Sequence, residues 1–240
     1  MIGFRTWIRE GVNTGGQESG KLELSSTTIE QAREKAELII PELDKSIPNF
    51  DKNFKNVKSK AKVGKTKRKD MPVVTSRDVR QFQQRLVDGH IDVTDPYADE
   101  TNPKNPFPQG LSKDKADAWL KAGLNDGDKN DDKIKVVEKY ATVGDLKPIQ
   151  KQIYVDKSIK MAHNDMKGIT VDSTKKFLQG KTFYIVSNDG YILDGHHRWL
   201  TAMLIDPTMK VNTMSIDMPI KELLPMMTAY SDAIGNKRNK

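Results

Sequence analysis

Asp194-Gly195-His196-His197-Arg198 places an acid, a residue without a side chain, two of the four histidines and an arginine in consecutive positions. Each has a use in phosphate chemistry. Gly195 lets an anion approach the backbone closely, and Arg198 offers a planar fork of donors to phosphate oxygens. His196 and His197 can donate or accept a proton near neutral pH, and Asp194 can orient either of them. Singly, each also has a structural use: Asp194 as a helix cap, a histidine as a satisfied core residue, Arg198 as a surface cation. Gathered at one junction they describe an active or ligand site.

The surrounding pattern says how that junction is built. Residues 183 to 187 and 191 to 193 read as paired strands joined by the turn Asn188-Asp189-Gly190, and 196 to 205 as an apolar-patterned helix. A strand that runs through Asp194-Gly195 into a helix presents free N–H groups and the positive end of the helix dipole. Around this unit, Ile134 to Tyr140 reads as a strand, 149 to 163 as a helix, 211 to 216 as a strand and 219 to 232 as a closing helix. Short interleaved strands and helices give an α+β fold, a small mixed sheet with flanking helices.

Tyr191-Ile-Leu-Asp-Gly-His-His-Arg-Trp-Leu-Thr-Ala resembles the signature strand and helix of the ParB/sulfiredoxin superfamily, with Gly-x-x-Arg or Gly-x-His-Arg at this place. Upstream, Leu146-Lys147-Pro148-Ile149-Gln150 is similar to the segment that opens the family core, so the resemblance spans roughly residues 136 to 232. It implies a nucleotide phosphate seated on the Gly-to-Arg turn, with Gly195, Arg198, Gln150 and Pro148 as binding residues. His196, His197 and Asp194 are then the catalytic candidates, and the implied cofactor is ATP or CTP with magnesium. Two departures narrow the choice. Without cysteine the thiol chemistry of sulfiredoxin is impossible, and about forty residues after Arg198 are too few for the DNA-clamping domains of a partition protein.

The composition is polar, 36% hydrophobic and 30% charged, which favours a modest core plus a mobile segment. No apolar run approaches the roughly 20 residues of a membrane span, and the start lacks a secretory signal, so the expected location is cytoplasmic. The net charge of +7 is concentrated: residues 52 to 69 hold eight Lys, one Arg and no acid. Lys52 to Lys69 reads as a flexible basic linker able to lie along a nucleic-acid backbone by counterion release.

Four regions follow. Residues 1 to 20 are a docking-like or disordered N-terminus, with Phe4, Trp7 and Ile8 on one side of a possible helical turn. That decapeptide resembles the capsid-targeting peptides of T4-like phage internal proteins, implying a capsid or scaffold partner and a location in the virion interior or host cytoplasm. Residues 21 to 70 hold an amphipathic helix over 27 to 45, behind cap candidates Ser25 to Thr28, and the basic linker. Residues 71 to 135 form a helical and loop extension: one helix capped by Ser76 and stopping at Gly89, a surface loop over 94 to 110, and one capped by Ser112 and stopping at Gly123. Residues 136 to 240 form the ParB/sulfiredoxin-like domain.

Weaker motifs dissolve on inspection. Gly15 to Lys21 is followed by Leu22 where a P-loop needs Ser or Thr, and Gly64-Lys65-Thr66 has Ser59 where the first glycine belongs. A calcium-like loop from Asp126 has Asp131 in place of Gly and Val137 in place of Glu. Adjacent His196 and His197 point about 100° apart on a helix and grip one ion poorly, so no dedicated metal site is expected unless His163 or Asp194 completes one. His90, with no arginine behind it, reads as structural. The expected function is a nucleotide-dependent phosphoryl-transfer or phosphodiester-cleaving enzyme. The competing expectation is a non-enzymatic nucleic-acid-associated protein packaged in a virion.

Overall fold

The computed structural model describes residues 21–23, 26–37, 47–61, 66–91, 114, 117–118, 120–121, 134–154, 158, 171–180 and 182–237. They form a mixed α+β fold with a five-stranded sheet in the order β2-β7-β5-β6-β3. The strands are β2 (Val136–Thr142), β3 (Lys147–Pro148), β5 (Tyr184–Ser187), β6 (Tyr191–Asp194) and β7 (Lys210–Ile216). β2 and β7 pair antiparallel, β7 and β5 parallel, β5 and β6 antiparallel, and β6 and β3 parallel. A second, two-stranded sheet joins β1 (Lys21–Glu23) to β4 (Gln152–Tyr154) antiparallel.

Six α-helices flank the large sheet among the described residues: α1 (Ile29–Glu37), α2 (Phe50–Ala61), α3 (Ser76–Val87), α4 (Val171–Gln179), α5 (His196–Ile205) and α6 (Ile220–Ala233). Strand side chains alternate faces, so a sheet covered on both sides needs apolar residues at successive positions. Tyr184, Val186, Ile192 and Val211 pack on one face with Phe50, Phe54, Val57, Trp199 and Leu200. Ile185, Leu193, Met214 and Ile216 pack on the other with Phe82, Leu86, Met226, Met227 and Tyr230. The architecture is helix, sheet, helix, with α2, α4 and α5 on one side and α3 and α6 on the other.

The central hairpin is built by its turn. Gly190 takes φ +83°, and the Asp189 carboxylate accepts from the Ser187 hydroxyl and from the Ile220 backbone N–H at the start of α6. The expected strands and helices from 183 to 232 are all present, with boundaries displaced by at most one residue.

Elsewhere the structure corrects the sequence reading. Lys52 to Lys69, read as a flexible linker, contains most of α2 and the 3₁₀ turn Arg68–Asp70. Phe50, Phe54, Val57 and Ala61 recur at helical spacing and are buried, and Asn53 Nδ2 donates to the Leu204 carbonyl of α5 at 2.6 Å. The lysines occupy the other face, so charge and core share one helix. The helix expected over 149 to 163 is also wrong at its start, because Gln152–Tyr154 is β4, with Ile153 turned into the core. The helix over 76 to 89 is present, but its cap is Thr75, in a reciprocal capping box with Asp78. α1 is capped the same way by Thr28 and Gln31, and its expected continuation to 45 lies outside the described residues. α4 was not foreseen. No helix among the described residues is long and apolar enough to cross a membrane. Phe4, Trp7, Ile8, the loop over 94 to 110 and most of the helix expected from Ser112 to Gly123 also lie outside them.

A load-carrying α2 makes a direct prediction. Phe54→Ala should cost about 3 to 5 kcal/mol in urea unfolding, as large core truncations do, while Lys55→Ala on the exposed face should stay within about 0.5 kcal/mol. Equal, negligible effects would restore the linker reading.

Candidate functional site

β6 ends at Asp194, and the chain turns into α5 through Gly195 at φ +107°. A side chain there is excluded twice: the left-handed conformation disfavours it, and a Cβ would sit 2.9 Å from Tyr184 Cδ1 and 3.2 Å from Arg198 Nη2. Gly195 has no side chain with which to cap α5, and a helix start of this kind suits an anion. Trp199, fully buried, anchors the helix by donating from Nε1 to the Val143 carbonyl at 3.2 Å.

The turn opens onto a cavity of about 180 Å³ lined by Arg68, Met71, Pro72, Gln150, Leu193 and residues 194 to 198. Five of the expected residues, Asp194, Gly195, His196, His197 and Arg198, therefore line it together, and Gln150 faces them. Pro148 does not. It is a buried residue of β3 in register with Ile192 of β6, so its part is to hold the strand. A larger cavity, about 280 Å³ beside Pro48, Val171 and Ile205, offers one cation, Lys175, which is already within 3.8 Å of Asp206. It lacks convergent polar groups, and the smaller cavity is the better site.

The two histidines have different environments. His196 is only 4% exposed, and its Nε2 accepts the Gln150 backbone N–H at 3.2 Å. Burial pushes its pKa down to about 3, and the hydrogen bond assigns the neutral Nδ1–H tautomer. In this arrangement Nε2 is occupied as an acceptor within the fold. His197 lies nearer the opening; its Nε2 accepts the Tyr154 N–H over a longer 3.4 Å, with the two rings 6.1 Å apart and nearly parallel at 14°.

Arg198 Nη2 donates to Asp194 Oδ2 at 2.7 Å, and its guanidinium lies 5.0 Å over the Tyr184 ring. The arginine side chain is 20% exposed and the aspartate 45%. The cavity walls desolvate the Asp194 carboxyl and raise its pKa, while the Arg198 charge and the Gly195 N–H oppose the rise.

Arg68, Met71, Pro72, Tyr154 and Tyr184 belong to the site and were not singled out from the sequence. Arg68 reaches it because Thr66 pairs with the 150 loop, donating to the Ile149 carbonyl and accepting from the Lys151 N–H, both at 3.0 Å. No local signal announces that long-range bridge. His90 is not among the cavity residues, and His163 and the loop from Asp126 to Lys133 lie outside the described residues. Among the described residues no group of three or more acids and histidines is placed to hold a metal. Searched against family models, curated proteins and solved structures, the chain gives no match.

The His196 environment fixes a pH dependence. Between its ordinary value of 6.5 and about 3, the unfolded chain binds a proton that the folded one refuses, so stability held above pH 6.5 is lost as pH falls. Each pH unit in that window removes up to about 1.4 kcal/mol through this one group. Urea titrations from pH 7 to 4 should show a shallower loss for His196→Gln, which keeps an acceptor without the titration. Identical slopes would contradict a buried neutral imidazole.

Proposed function

We propose that the chain is a phosphate-handling enzyme of the ParB/sulfiredoxin kind, binding the phosphates of a nucleoside triphosphate on the Asp194–Arg198 turn and cleaving or transferring a phosphoryl group. The observation that carries this reading is the convergence of Arg198, the uncapped start of α5 and the Gln150 loop on one small cavity. Arg198 gives one Nη2 hydrogen to Asp194 and keeps its other guanidinium edge for a phosphate, a charge-assisted arrangement suited to an anion. Gly195 keeps the backbone accessible. His197 is the remaining proton-transfer residue, because its bond to Tyr154 is long enough to exchange for one to an attacking water or hydroxyl. Asp194, partly open to the cavity, offers the single carboxylate that a phosphate-bound magnesium ordinarily takes from a protein. When bound there, such an ion would supply charge neutralisation on the phosphates.

A second reading, a nucleic-acid-associated protein of a virion interior, is favoured by one feature. Lys52 and Lys55 lie exposed on the outer face of α2, and Lys67 and Lys69 lie exposed beyond it. These are positioned as phosphate-backbone contacts, independent of sequence.

Three measurements separate the readings. Arg198→Ala should weaken nucleotide binding by about 2 to 5 kcal/mol in calorimetric titration at matched salt, and His197→Ala should lower turnover more than affinity. Unchanged affinity in Arg198→Ala would remove the phosphate role. Charge reversal at Lys52 and Lys55 should flatten the log-log salt slope of duplex DNA binding by about 2, from the per-contact value of about 0.9; an unchanged slope would take α2 out of any nucleic-acid surface.

A further inference from the structure

Arg68 sits on the connector between α2 and α3, in the 3₁₀ turn that follows the Thr66 bridge to Gln150. Its guanidinium packs 4.9 Å over the Tyr154 ring, which holds it toward the cavity. Among the described residues no carboxylate is paired with it. Burial lowers its pKa, the sign of a guanidinium desolvated without a compensating acid. Arg198, by contrast, has given one donor edge to Asp194. The two arginines come from different walls, one from the connector and one from the first turn of α5.

Resting on the phosphate reading above and deepening it, we infer that Arg68 and Arg198 are the two arms of a diphosphate clamp, with the rest of the ligand outside the cavity. One phosphate group engages one guanidinium fork; two linked phosphoryl groups engage both. The size agrees. A volume of about 180 Å³ falls below the roughly 300 Å³ at which pockets for whole drug-sized ligands begin. A diphosphate enters, and a sugar and base remain outside the cavity. Recognition is therefore of the diphosphate and indifferent to the nucleobase.

The test is calorimetric titration of the full chain with pyrophosphate, orthophosphate, ATP and CTP at one pH and ionic strength. Pyrophosphate should bind at least about tenfold more tightly than orthophosphate, a difference of about 1.4 kcal/mol, and should compete with ATP and CTP, which bind alike. Arg68→Gln should collapse the preference for pyrophosphate while leaving orthophosphate nearly unchanged. Arg68→Lys keeps the charge and the stem but loses the fork; it should fall between, and it carries the test if the glutamine variant melts. Undiminished pyrophosphate preference in these variants overturns the clamp, as does strong discrimination between ATP and CTP. Loss of binding in Arg198→Ala with Arg68→Gln unaffected would leave the phosphate reading and remove only the second arm. A wild-type chain that binds none of the four ligands would end the phosphate reading itself.

Discussion

The hydrogen bond from the Gln150 N–H to His196 Nε2 joins the two sides of the cavity, and the geometry of the site depends on it. His196 is the first residue of α5, and Gln150 sits between the two backbone groups that hold Thr66. One buried imidazole therefore sets the distance between the helix start, the loop after β3 and the connector that carries Arg68. The bond requires a neutral ring, since a protonated His196 would bury a charge and lose its only acceptor. A residue that looks catalytic by type is in this place a structural tie, and its neutrality is the condition for the tie.

The second constraint runs through Tyr184. Its ring lies under Gly195 and carries the Arg198 guanidinium, so one aromatic face sets both the glycine requirement and the arginine's position. The hydroxyl is buried without a hydrogen-bond partner among the described residues, which costs about 1 to 3 kcal/mol. Burial also drives the phenol's pKa upward, so it stays protonated. Phenylalanine would avoid the cost and preserve the ring. The contacts around the ring account for its position, and none of them accounts for the hydroxyl.

The part of the fold legible in the sequence is the part whose signals are local. Asn188-Asp189-Gly190 announces its hairpin, and Gly195 with Arg198 announces the turn into α5, because neighbours within a few residues determine both. Residues 50 to 61 differ from the expected linker for a physical reason: Lys52, Lys55, Lys58 and Lys60 dominate the composition, while the four apolar core positions are spread over twelve residues of chain. A helix can be strongly charged and still bury a stripe, since about a third of its surface suffices. β4 was misread because three residues carry no period of their own, and their partner β1 lies about 130 residues away in sequence. Arg68 was hidden twice, first inside a charge run and then behind a bridge from Thr66 to Gln150 that no spacing reveals.

The early helices are packed into the sheet rather than set beside it. α2 packs on α5 through Phe54, Val57 and the Asn53 bond to Leu204, and α3 packs on α6 through Phe82 and Tyr230, whose rings meet edge to face at 5.0 Å. The residues before 92 thus cover both faces of the sheet that the residues after 134 build, and they also supply one wall of the cavity. The basic segment cannot be removed as a unit to ask what its charge does. Deletion of 52 to 69 takes Phe54, Val57, Ala61 and Arg68 with the lysines, confounding loss of charge with loss of core and of site. Only substitutions confined to the solvent face of α2 separate the electrostatic role of the segment from its structural one.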